Sequence, residues 1–223
     1  MDVYLVPASR DRYELYCEVA HPVLAPVDAP NSSLWGRAVG VFSRALAEGE
    51  AARRGPVPEG ESTSGRLRRT VMRKIAEAVA EQRLLWHLRG ETAAQLIYPD
   101  DIPASAALDR MRQSFASDRD KHRRWLVIDG LLSLVSAPFT VVPGPNLFLY
   151  FFLFRTVGHF LSMRGADQSL RRILWTPVAS APLTELRAAL PLERESRSRR
   201  IDEIAAALGL CELGVFVDNV ADR

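Results

Sequence analysis

Thirty-nine consecutive residues, Trp125 to Met163, are depleted of charge, and this stretch limits the folds open to the chain more than any other. At the chain's overall charge content of 25%, a window of 39 residues would hold about ten charged side chains; between Leu126 and Met163 only Asp129 and Arg155 carry formal charge. The stretch has two halves, WLVIDGLLSLVSAPFTVV and NLFLYFFLFRTVGHFLSM, each with 12 apolar residues in 18. Pro143, Gly144, Pro145 and Asn146 form a turn motif between them. The pattern predicts an apolar helical hairpin over residues 125–163. A helix needs roughly 20 apolar residues at about 1.5 Å rise each to cross a hydrocarbon layer, so each half is near the length of a membrane span. The expectation is therefore a possible two-pass membrane hairpin, with the core of a soluble helical protein as the alternative.

Ionisable groups are costly in such surroundings, which draws attention to the few that are present. Counting from Gly144, Asp129 lies 15 residues before the turn and His159 lies 15 after it, at one level on antiparallel helices. Arg155 is one turn from His159 on the same helical face. Asp129, Arg155 and His159 thus form a candidate cluster that serves either an ion or proton path or a structural salt bridge.

Around the hairpin the pattern is mainly α. Residues 2–6 and 12–19 are short runs rich in Val and Tyr on either side of a turn, which predicts a β-hairpin within residues 1–20. Leu34, Ala38, Val41, Phe42 and Ala45 mark a helix face, and residues 49–65 read as a flexible Gly/Pro/Ser-rich loop. Leu67, Val71, Ile75, Val79 and Trp86 form the apolar stripe of a helix over 67–88. Its first turns carry Arg66, Arg68, Arg69, Arg73 and Lys74. Cations at a helix N-terminus oppose the macrodipole at about 0.3 to 1 kcal/mol each, so these five residues are a candidate contact for anionic lipid or an acidic partner. Pro103 opens the next helix, with Ala104, Ala107, Leu108, Met111 and Phe115 on its buried stripe. That helix continues through the polar run at 118–124 into the apolar stretch. A last helix spans about 193–208 and ends at Gly209. The fold class expected is a helical bundle with a central apolar helical hairpin and an N-terminal β-hairpin, in one domain over residues 1–223.

Several function classes lack support in the sequence. No dinucleotide, phosphate-loop, serine-hydrolase or zinc-protease motif occurs, and His21, His87, His122 and His159 are scattered, so no enzymatic activity, cofactor or metal is expected. Net charge is +2, and although residues 199–217 resemble the opening of a helix-turn-helix, Gly214 falls inside the would-be recognition helix; no nucleic-acid partner is expected. The two cysteines, Cys17 and Cys211, have no metal-ligand spacing. Basic residues flank both feet of the hairpin and are missing from its turn, which matches the positive-inside rule with both termini on the cytosolic or matrix side.

The stretch PGPNLFLYFFLFRTVGHFLSMRGA, residues 143–166, together with the opening VYLVPASRDRYELYCE, resembles the mitochondrial potassium/proton exchange-related family and its bacterial relatives. The resemblance implies an uncharacterised, membrane-associated accessory or regulatory protein of potassium/proton exchange and ion homeostasis. It would work with membrane lipids and with other membrane proteins of the exchange system. The opening residues lack the composition of a transit peptide, which favours a bacterial relative at the inner membrane with most of the chain on the cytosolic side, or the mitochondrial inner membrane in a eukaryote.

Overall fold

The computed structural model describes residues 1–9, 11–18, 84–138 and 147–221. The expected helix over 34–47, the loop at 49–65, the basic cluster Arg66, Arg68, Arg69, Arg73 and Lys74, and the turn motif Pro143, Gly144, Pro145 and Asn146 lie outside the described residues. The described elements are strands β1 (Asp2–Pro7), β2 (Tyr13–Tyr16) and β3 (Ala93–Pro99), then helices α1 (Ala104–Ser136) and α2 (Leu147–Arg171). Strand β4 (Leu174–Ser180) follows, and helices α3 (Ala181–Ala189), α4 (Arg194–Leu208) and α5 (Leu213–Ala221) complete them. The chain is mainly helical. Read from its sequence as one domain, it divides by internal contacts into two compact units: residues 1–20, 91–117 and 167–223, and residues 21–90 and 118–166. Both long helices contribute to both units.

The first unit contains more strand than its sequence suggests. β1 and β2 pair antiparallel, with Tyr4 opposite Tyr16 and Val6 opposite Glu14, but this hairpin is only part of a four-stranded sheet of order β2-β1-β3-β4. β3 lies parallel to both β1 and β4, with Val3 opposite Leu96 and Ile97 opposite Val178. The added strands answer the marginal stability of an isolated hairpin, since a third and fourth strand give it a face to bury. β4 carries Pro177 and sits at the sheet edge, the place where a residue without a backbone N–H is tolerated.

Side chains alternate across the sheet, so each face has its own cover. Tyr4, Val6 and Tyr16 pack with Leu183 and Leu186 of α3, Ile201, Ile204 and Ala205 of α4, and Leu213 and Val217 of α5. On the opposite face Trp175 of β4, in register with Ala94, stacks on Phe115 of α1 at 5.8 Å between ring centroids. Phe115 belongs to the stripe Ala107, Met111 and Phe115, all fully buried. Gly209 terminates α4 in the left-handed conformation (φ 69°), and the Leu210 amide donates back to the Ala205 carbonyl. The Glu18 carboxylate accepts the backbone N–H groups of Cys211 and Glu212 just ahead of α5, at 2.7 and 2.6 Å. Burial alone would raise the Glu18 carboxyl's pKa, but the bond from the Tyr16 hydroxyl and these two amides outweigh it and hold the group below its usual range.

The second unit is where the apolar stretch resides. The helical segment at 84–88 packs on α2 so closely that an added Cβ at Gly165 would meet the Leu85 carbonyl oxygen at 1.7 Å. The Trp86 indole N–H donates to Ser162 Oγ at 2.8 Å and fixes the same contact. Among the described residues, no helix is long and apolar enough to cross a membrane, so the two-pass expectation gains no support. α1 enters its apolar half from the charged run at 118–124, and α2 is interrupted by Arg155 and His159, which cuts short the apolar length of each.

The Gly165 contact yields a test in which backbone, rather than a flexible side chain, resists the new group. Gly165→Ala should destabilise the protein by about 2 to 4 kcal/mol through overpacking, read as a lower midpoint in thermal or urea unfolding. A midpoint equal to that of the wild type would mean that the 84–88 segment does not approach α2 this closely.

Candidate functional site

The site is built by two helical stripes in the second unit. On α1 the inward positions are His122, Asp129, Ser133 and Ser136, at spacings of seven, four and three. On α2 they are Arg155, His159, Ser162 and Ala166, again at helical spacing. Asp129 is 1% exposed, and His122, Ser133, Ser136, His159 and Ser162 are all buried. The outward positions carry the opposite chemistry: Leu134 is 70% and Val135 66% exposed, and Val127, Ile128, Leu131 and Phe151 are exposed as well. This half of α1 is therefore polar within and apolar without, the reverse of an ordinary water-facing helix, whereas α2 also buries Val157 and Leu161 beside His159 and Ser162.

Asp129 is the centre of the polar interior. Arg155 Nε donates to Asp129 Oδ2 at 3.0 Å, and His159 Nε2 lies 3.3 Å from the same oxygen. His159 Nδ1 in turn lies 2.8 Å from His122 Nδ1. The three side chains expected to share a level do lie together, and His122 extends them to four. His122 stands seven residues before Asp129, two turns along the same face of α1, and that spacing was the sequence signal available for it. Trp125 roofs the group: its ring stacks on His159 at 6.4 Å, and the Arg155 guanidinium lies 5.3 Å from its centroid. The hydroxyls of Ser133 and Thr156 bond carbonyls one turn back in their own helices, those of Asp129 and Phe152, both at 2.8 Å.

Burial governs the titration of the two imidazoles. Burial first, then the neighbouring His159 and Lys121, lowers the His122 pKa to about 4. His159 is also lowered, chiefly by burial; Asp129 pulls it up, while Arg155 and Lys121 push it down. Among the described residues no group of three or more His, Cys, Asp or Glu is arranged to hold a metal ion. The geometry instead provides an ion pair and a hydrogen-bonded pair of rings that share one carboxylate.

Residues 66–174 match the family described as mitochondrial K+-H+ exchange-related. This span contains all four members of the cluster and both helices that hold them. No curated protein and no solved structure matches the chain.

Two stability predictions arise from this geometry. Asp129→Asn leaves Arg155 without its carboxylate and should cost about 2 to 4 kcal/mol, somewhat below the cost for a fully buried pair because Arg155 keeps partial contact with solvent. Adding Arg155→Gln should recover part of that loss, and strictly additive losses in denaturant unfolding would refute the coupling. The second concerns pH. Because the folded His122 pKa lies below its unfolded value of 6.5, the unfolded chain binds the extra proton first; stability is fully present above pH 6.5 and falls as pH drops towards about 4. The loss should approach about 3 kcal/mol, and His122→Gln should flatten this part of the pH–stability curve.

Proposed function

We propose that this chain is a membrane-associated accessory or regulatory protein that supports exchange of potassium for protons. The observation that carries the reading is the buried cluster of charged and titratable groups beside the exposed apolar face of α1, both within the span that matches the exchange-related family. A polar group in an apolar layer is retained at a cost, and a cluster of carboxylate, guanidinium and imidazole is chemistry suited to sensing or passing a cation or a proton. In this reading, association with lipid uses the exposed apolar faces of α1 and α2. Lys121, Arg123 and Arg124, all exposed, stand just before the apolar half of α1, where they complement anionic headgroups. Other proteins of the exchange system are the partners, and the membrane is the bacterial inner membrane or its mitochondrial counterpart. The chain's own role is not that of an enzyme.

A second reading has its own support: no described helix is long and apolar enough to cross a membrane. On that reading the chain is an interaction protein without a transport role, and protein surfaces cover the apolar faces of the hairpin.

The two readings separate in a flux measurement. Membrane vesicles from cells lacking this chain should show reduced potassium-dependent proton flux, restored by the wild type. The double variant Asp129→Asn/Arg155→Gln, at matched abundance, should fail to restore it. Flux that is unaffected by deleting the chain would reject the exchange role and leave the interaction protein.

A further inference from the structure

We propose that His122 and His159 form a two-ring proton relay, which takes up one proton at His122 Nε2 and delivers its charge to His159 beside the Asp129 carboxylate. Hydrogen-bond bookkeeping leads to this assignment. Two ring nitrogens 2.8 Å apart need one hydrogen between them, since two bare lone pairs or two N–H groups would repel. Asp129 is paired with Arg155 and acts as an acceptor, so the His159 nitrogen facing it, Nε2, carries a hydrogen. In the neutral form His159 Nδ1 is therefore bare. His122 must supply the shared hydrogen from its own Nδ1, which leaves His122 Nε2 as the basic nitrogen of the pair. The hydrogen bonds then run in one direction, from His122 to His159 to Asp129, with Arg155 donating to Asp129 from the other side.

Uptake of a proton reverses the first of these bonds. The incoming proton binds His122 Nε2, the His122 Nδ1–H bond breaks, and a bond forms between that hydrogen and His159 Nδ1. No electrons are transferred. His122 ends neutral with its hydrogen on Nε2, and His159 ends as an imidazolium donating to both His122 and Asp129. The four-residue cluster passes from zero net charge to +1. A second proton is opposed, because both Nδ1 atoms would then carry hydrogens pointing at each other.

The charged neighbours set the direction of the relay. Among the described residues, Lys121 and Asp129 on α1 and Arg155 on α2 act on the rings. Asp129 favours a charge on His159, whereas the neighbours acting on His122 all oppose one there. The positive charge therefore comes to rest on His159. The rings titrate as a coupled pair: the first macroscopic step adds one proton to the pair, and repulsion displaces the second to lower pH. This inference rests on the geometry and charges of the cluster and holds whether or not the chain serves potassium/proton exchange.

Nitrogen-15 NMR of the full-length chain labelled in its imidazoles tests the assignment. At pH 7.5 the ring shifts should report hydrogen on Nδ1 of His122 and on Nε2 of His159. On acidification both rings should respond at one midpoint below pH 6.5, with uptake of one proton for the pair, and Asp129→Asn should move that midpoint lower still. Hydrogen on Nε2 of His122 at pH 7.5 would overturn the relay, as would a first step confined to one ring. A midpoint unmoved in folded Asp129→Asn would overturn delivery of the charge beside Asp129. The wild-type tautomers at pH 7.5 decide the proposal by themselves if that variant does not fold.

Discussion

The arrangement of the second unit depends on a carboxylate withdrawn from water. Asp129 is 1% exposed, and ion pairing in low dielectric repays desolvation only when geometry is good and the remaining lone pairs are engaged. Here one oxygen of Asp129 receives Arg155 and faces His159, which faces His122 in turn. The pairing holds α1 and α2 in antiparallel register, because Arg155 and His159 are one turn apart and must both reach the same atom. With Ser133 and Ser136 also turned inward, the apolar residues of this half of α1 have the outer surface left, while α2 buries Val157 and Leu161 beside His159 and Ser162. The inverted character of this half of α1 thus has a local cause: the few polar groups of the pair cannot be satisfied apart from one another, so they gather inside.

This also explains why charge depletion alone was an incomplete guide. Counting apolar residues in 125–163 suggests two spans, yet helix length and composition must be judged together. α1 continues the amphipathic helix of 104–117, whose Ala107, Met111 and Phe115 stripe belongs to the first unit, and it passes through Lys121, Arg123 and Arg124 before its apolar half begins. α2 carries Arg155 and His159 in mid-course. The juxtaposition of Asp129 with those two residues was legible because an antiparallel pair fixes levels by counting from the turn. His122 was less so, since it falls within the polar run 118–124, where a histidine reads as solvated; only its spacing of seven from Asp129 marks it as part of the inward face.

The first unit shows a different limit of sequence reading. The β1–β2 hairpin announces itself through Val and Tyr on both sides of a turn, and α4 through Ile201, Ile204, Ala205 and the terminal Gly209. β3 and β4 give weaker signals. β3, AAQLIYP, is led by Ala and Gln, which favour strands poorly, and β4, LWTPVAS, contains a proline that argues against a strand unless it lies at an edge. Their pairing is non-local: β4 finds β3 only after both long helices intervene, and no window of neighbouring residues contains that information.

The central claim of the proposed function is that the apolar side chains the hairpin presents outward meet lipid while its ionisable groups close on one another within. Nitroxide scanning of residues 127–136 in the full chain bound to liposomes tests it most directly. Apolar oxygen should reach labels at Val127, Leu131, Leu134 and Val135 more readily than a water-soluble nickel chelate does, whereas labels at Ser133 and Ser136 should be shielded from both reagents. Preferential access of the nickel chelate to the four apolar positions, or shielding of those positions from both reagents, would contradict the account.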